Sequence, residues 1–460
     1  MNSIISANSA NEQRLNSRID RFFNEINISK LLLRSNFYKE SGFQCSTVLK
    51  ELFSLVFHGK NLYRTLSVKN EELPFKKNTA YRFLNAGHFN WEKLLHLVMA
   101  GLIAELDRLT GKDRQSVLIV DDSLFSRGRS KKVEMMARVF DHTSHKFCKG
   151  FRMLTLGWSD GNSFLPVSFN LLSSSKEENR LCPANQTDKR TLAFKRRNRA
   201  IQSSPDALIE MLRAAKDIPA KYVLFDSWFT FPKTVIRVKK ENREVIGMVK
   251  VTEKIHYLFD GKWQDVRDIY SQIKHQTNSR DSIIGSAVVQ IREDKDSPEN
   301  DLTDARIVFV KDRHSDKWLA LLCTDLGVSE EEVVRIYGKC WDIKVFFKVC
   351  KSYLALAKEY QGRSYDMQVS ATSIVFLRYV MLSMETRNAT DERIIGDLFY
   401  YMREELADIK ISQSLMLLID TLRQVLNSLP VLSQELAEKI MNEFLFAVPD
   451  PFKHHLLFCA

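Results

Sequence analysis

The chain reads as an α/β protein on three observations. Two apolar runs, SVLIVDDS from Ser116 and YVLFDSWF from Tyr222, each run into carboxylates, as buried strands do when they carry charge to a sheet edge. Between them, GFRMLTLGW and SFLPVSFNLL flank SDGN, whose Asp160-Gly161 supplies a hairpin turn. Helical periodicity dominates both ends of the chain.

Taken in order, residues 1–112 carry apolar side chains at helical spacing, with helices expected over Ser46–Phe57 and Trp91–Leu109. Pro74 and the run FKKNTAYRFLN predict a turn feeding a basic helix. Lys76, Lys77 and Arg82 there suit contact with phosphates or a DNA groove; an amphipathic surface helix with Tyr81 and Leu84 in the core fits as well. After the first strand and the hairpin, helix is expected at Pro205–Lys216, strand at YVLF, helix at Phe231–Glu241 and strand at Val245–Val251. From residue 252 to 328 the pattern is β-rich (IIGSAVVQI, ARIVFV, KWLALLCTD). Helix resumes behind Ser329, a good N-cap before Glu330, Glu331 and Glu332, and is expected to run to about Tyr360. More helices follow.

Composition narrows the partners. The 460 residues are 44% hydrophobic and 27% charged, ordinary for a globular protein. A net charge of +11 favours a polyanion over a small neutral substrate. Seven cysteines without a CxxC pair, and no signal peptide, point to the cytoplasm and away from a zinc site. No apolar run reaches spanning length, and Ile374–Met384, which carries Arg378, reads as a buried helix; no membrane role is expected.

The most informative stretch is IYGKCWDIKVFFKVCKSYL, Ile336 to Leu354. Tyr337, Cys340, Lys344 and Lys351 stand at i, i+3, i+7 and i+14, one stripe down a helix, with Lys348 on the same stripe. This spacing resembles the Tyr-Arg-Glu-Lys signature of DDE-class insertion-sequence transposases of the IS-four type, with Cys340 at the Arg position and Lys344 at the Glu position. The resemblance spans roughly residues 110 to 380. It implies a ribonuclease H-like core (113–251), a β-rich insertion (252–328), core completion (329–380), a helical C-terminal region (381–460) and a helical DNA-binding N-terminus (1–112). The strand order alone also fits other α/β domains.

The resemblance further implies DNA cutting and joining by metal-assisted phosphoryl transfer. Three carboxylates would hold Mg²⁺ or Mn²⁺: Asp121 in IVDDS (Asp122 as the fallback), Asp226, and the residue where Lys344 now stands. Strand alternation turns Asp121 and Asp122 to opposite faces, so one of them is the ligand. An ammonium at the third position repels the cations it replaces a ligand for, so weak metal binding and impaired cutting are expected. No neighbour substitutes: Asp342 faces away, and Glu330 and Glu359 lie about 21 to 22 Å along the helix. Cys340 lacks the donors of an arginine, and no His is present in the motif to activate its thiol.

Double-stranded DNA, as terminal inverted repeats and as target, is the implied partner, with a homo-oligomer bridging two ends in the bacterial cytoplasm and no small-molecule substrate. Tyr337, Lys348 and Lys351 would hold phosphates. Arg127 and Arg129, and the run containing Arg196 and Arg197, are further candidate DNA contacts. Trp263 or Trp318 would stack on a flipped base, or sit in the core. The competing function is a catalytically inactive DNA-binding protein, a transposition inhibitor or decayed copy.

Overall fold

A computed structural model describes residues 18–59, 62–67, 73–109, 111, 114–141, 145–274, 282–294, 302–312, 317–387, 415–429, 433–449 and 452. Much of the expected C-terminal region, including 388–414, lies outside the described residues. Among the described residues six helices come first: α1 (Arg18–Glu25), α2 (Ile28–Arg34), α3 (Cys45–Ser54), α4 (Leu62–Ser67), α5 (Lys77–Leu84) and α6 (Trp91–Leu109). Strands β1 (Val117–Ser126), β2 (Ala137–Asp141), β3 (Lys146–Ser159) and β4 (Phe164–Leu172) follow. Next are α7 (Leu192–Ala200), α8 (Ser204–Ala214), β5 (Tyr222–Phe225), α9 (Pro232–Lys240) and β6 (Glu244–Met248).

The β-rich stretch forms β7 (Tyr257–Phe259), β8 (Lys262–Gln264), β9 (Ile283–Ile291), β10 (Thr303–Lys311) and β11 (Trp318–Cys323), with α10 (Val266–Ile273) between β8 and β9. It does not stand apart. The eleven strands among the described residues share one sheet, in which β11 pairs antiparallel with β6 and so carries the β-rich stretch onto the core. At the centre, β1 runs parallel to β5 and β5 parallel to β6, while β3 flanks β1 antiparallel. This mixed α/β sheet is consistent with a ribonuclease H-like domain.

The β3–β4 hairpin turns where Asp160-Gly161 predicts it. Gly161 adopts φ +92°, and Asp160 Oδ1 accepts from the amides of Asn162 and Ser163 at 2.9 and 2.8 Å.

The last core elements are α11 (Glu330–Tyr337), α12 (Trp341–Ser352) and α13 (Tyr365–Thr386), with α14 (Gln434–Ala447) further on. Ser329 caps α11 as expected, its Oγ accepting from Glu332 N. The single helix expected to run to Tyr360 is instead broken. A 3-10 turn over Gly338–Cys340 separates α11 from α12, and α12 stops at Ser352, before left-handed Ala355 and Ala357. Gly338, a poor helix former, begins the turn, where 3-10 bonding interrupts the α-helical ladder.

α13 is long and apolar enough to cross a bilayer by composition, yet nearly all of it is buried inside the protein. It packs against α3, α5, α6 and β4, so the N-terminal helices and the sheet share one core. Its Arg378 is fully buried. The guanidinium donates to Glu359 at 2.5 and 3.0 Å and to the Leu52 and Phe53 carbonyls at 2.7 and 2.8 Å. Those carbonyls lie in the last turn of α3, where no intrahelical donor serves them, so the charge also acts as a helix cap.

Candidate functional site

Register decides where the two carboxylates fall: the parallel pairing of β1 with β5 stops at Val120, but β1 itself continues beside β3 to Ser126, so Asp121 lies within the strand rather than at its end as the sequence suggests. Parallel pairing sets Val120 beside Phe225, so Asp121 and Asp226 follow at matching positions on neighbouring strands. That is the carboxyl edge where open α/β sheets place ligands. Asp226 is fixed by its own turn: its Oδ1 accepts from Trp228 N at 2.9 Å, and its carbonyl from Thr230 Oγ1 at 2.8 Å. Asp122 turns to the other face of β1 and pairs with Arg152 of β3 at 3.1 Å, so the fallback carboxylate is committed to a different partner.

α12 packs across β1 and brings the stripe to these carboxylates. Lys344 Nζ stands 3.5 Å from Asp121 Oδ2. Lys351 Nζ donates to Ser123 Oγ at 2.5 Å, two residues along the strand from Asp121. Burial pushes the Asp121 carboxyl up to about 6; the Lys344 ammonium pulls the other way, and the charges of Asp226 and Asp122 add to the rise. Burial also lowers the Lys351 ammonium, against the pull of Asp141 and Asp121. Tyr337 and Cys340 face each other in the same pocket of charge. Burial, then the nearby carboxylates, hold the Cys340 thiol well above its ordinary range, so it stays protonated and inert. Burial raises the Tyr337 hydroxyl likewise. Lys348 is exposed one turn beyond Lys344.

The alternative carboxylates are engaged elsewhere. Asp342 accepts from Ser159 Oγ at 2.5 Å, Glu330 from Ser286 Oγ at 2.5 Å, and Glu359 is bound to Arg378. Among the described residues no group of three or more His, Cys, Asp or Glu side chains is arranged to hold a metal ion. Two carboxylates with an ammonium against one of them do not fit a two-ion centre.

Other expected contacts sort by exposure. Lys76, Lys77, Arg82 and Arg129 are at the surface, the first three at and along α5. Arg127 instead points inward: its Nη1 donates to the Ala357 carbonyl at 2.9 Å, its Nη2 to Gln368 Oε1, and burial lowers it to about 10. Arg196 and Arg197 are corrections too. Both are buried, Arg196 on Asp366 at 2.7 Å and Arg197 on Glu134 and Asp366 at 2.6 and 2.9 Å. Their donors are spent inside the core, out of reach of a phosphate. Trp318 stacks on Tyr270 at 4.5 Å, and Trp263 lies under Arg292 at 4.1 Å.

Sequence reading passed over Trp228. It is 42% exposed, two residues from Asp226, with Arg152 and Lys250 over its ring at 5.4 and 5.5 Å. The available signal was an aromatic residue inside DSWF, directly after a strand-end carboxylate.

Residues 54–267 match the family model described as DDE superfamily endonuclease. This match supports a DDE-type transposase or endonuclease family. It covers β1, the hairpin and β5, and with them Asp121 and Asp226, but ends before the stripe helix. It supports DNA cutting as the function type and DNA as the substrate, and such endonucleases normally use divalent metals. No curated protein matches the chain.

Proposed function

We propose that this protein is an insertion-sequence transposase of the IS-four type that still engages DNA ends but cuts them poorly. The observation that carries this reading is the Lys344–Asp121 ion pair. An ammonium occupies the space beside the first carboxylate that a third acidic residue would share with a cation. Residual affinity for Mg²⁺ or Mn²⁺ rests on Asp121 and Asp226 alone. DNA contact falls to the exposed Lys348, Lys76, Lys77, Arg82 and Arg129, to Tyr337 and Lys351 at the carboxylates, and to Trp228, whose exposed indole with two cations near its ring suits stacking on an unpaired base. The working unit is a homo-oligomer bridging two terminal repeats in the cytoplasm.

The same ion pair favours a second reading, an inactive DNA-binding protein that occupies ends and blocks active copies. Mn²⁺-dependent nicking of duplexes carrying the flanking ends of the element separates the two, with binding measured on the same samples. An unmodified protein that binds without cutting, beside a Lys344→Glu variant that does both, places the defect at residue 344. Equal cutting by the two overturns it.

A further inference from the structure

β2 and β3 form a ribbon whose register is set by five pairs, from Ala137 opposite Gly150 to Asp141 opposite Lys146. Alternation puts Arg138, Phe140, Phe147 and Lys149 on one face. Arg138 stands directly opposite Lys149, and like charges so placed destabilise an antiparallel ladder. Neither makes an ion pair among the described residues, and both are exposed. The next pair on that face is Phe140 with Phe147, edge to face at 5.3 Å, and Phe147 is 73% exposed. A ribbon that needed only to fold would reverse one charge and trade the outward ring for a polar residue.

The surroundings share the sign. Arg129, Lys131 and Lys132 are exposed on the loop entering β2, and Lys146 is exposed on β3. The ribbon is also tied to the candidate site, since Arg127 N at the end of β1 donates to the Lys149 carbonyl at 2.7 Å. Asp141, at the far end of β2, lies close enough to Lys351 to act on its charge.

We infer that the Arg138–Lys149 face of this ribbon is a docking surface for duplex DNA beside the carboxylates, its cations on phosphates and Phe147 against the groove wall. A two-stranded ribbon has the width a major groove admits, and paired cations recover in phosphate contacts what they cost across the ladder. This inference rests on the DNA reading of the site.

The test is fluorescence anisotropy on a labelled duplex over a range of salt, with thermal melting of each variant. Arg138→Glu places opposite charges across the ribbon, so its melting point is expected to hold or rise. Its affinity at low salt is expected to fall roughly tenfold or more, with the slope of log affinity against log salt shallower by about 1. Phe147→Ala should weaken binding at every salt concentration with the slope unchanged. Should Arg138→Glu fail to fold, Arg138→Gln carries the same expectation at smaller size. Unchanged affinity and slope in these variants, with the unmodified protein binding, overturn the ribbon assignment alone. No duplex binding by the unmodified protein overturns the DNA reading and the ribbon with it.

Discussion

Lys344 Nζ lies 3.5 Å from Asp121 Oδ2, so the first carboxylate of the site has a resident cation on its own chain. The ammonium is half exposed while the carboxylate is 14% exposed, which makes the carboxylate the partner held by the fold and the lysine the one that reaches to it. A divalent ion on Asp121 would have to displace that ammonium or bear its repulsion.

Mn²⁺ should therefore leave the melting point of the unmodified protein nearly unchanged and raise that of Lys344→Glu. Binding to the folded state alone stabilises by about 2.7 kcal/mol at a hundredfold excess over Kd, which a thermal-shift titration resolves easily. Equal stabilisation of both proteins would mean that Lys344 does not guard the site.

Asp121 also gives the metal-free protein a pH dependence. Its folded-state value of about 6 lies above the ordinary 3.8, so the folded chain holds a proton that the unfolded chain has released. That contribution is complete below about pH 4 and is lost as pH rises through about 6, and it amounts to at most about 3 kcal/mol. Asp121→Asn should flatten this part of the stability–pH curve. Lys344→Met should push the titration higher by removing the opposing cation. Carbon-13 shifts of the Asp121 carboxyl report both, and a midpoint near 4 in the unmodified protein would refute the assignment.

The corrected arginines make a contrasting prediction. Arg197→Met leaves Glu134 and Asp366 buried with less countercharge, a loss on the order of 3–5 kcal/mol. Urea unfolding should show that loss, while the DNA affinity of the molecules that remain folded stays within about twofold. A salt slope that fell with this substitution would return Arg197 to the DNA contacts.

Legibility in the sequence followed locality. The start of β1, the β3–β4 turn and β5 were readable because apolar runs, the aspartates that follow them and Asp160-Gly161 each act over a few residues, whereas the run of β1 on to Ser126 depends on its distant partner β3. The start of α11 was readable for the same reason: Ser329 caps its own third helical amide, whereas the break after Tyr337 carried no signal strong enough to read. The pairing of β6 with β11 joins residues more than seventy positions apart and leaves no local mark, so the β-rich stretch read as an insertion rather than as more of the same sheet. Arg196 and Arg197 failed for that reason as well. A basic run on a surface and one facing buried carboxylates look alike when Glu134 and Asp366 are distant in the chain. Asp121 and Lys344 each stand out in the sequence, yet only the crossing of α12 over β1 shows that they touch.

Trp228 supplies the last prediction, because an exposed indole with two cations near its ring has a use that a buried one lacks. Stacking on an unpaired base contributes about 1–3 kcal/mol by alanine substitution and depends little on which base is presented. Trp228→Ala should thus lose roughly five- to 150-fold in affinity for a forked duplex with unpaired bases at its end, and much less for a fully paired one. Trp228→Phe should retain most of the binding, since a smaller ring still stacks, whereas a purely structural role would be read in the melting point of both variants. Quenching of indole fluorescence by forked but not blunt DNA, absent in Trp228→Phe, would identify the ring directly. Equal losses on forked and blunt duplexes would instead make Trp228 a support for Arg152 and Lys250, whose charges act on either substrate alike.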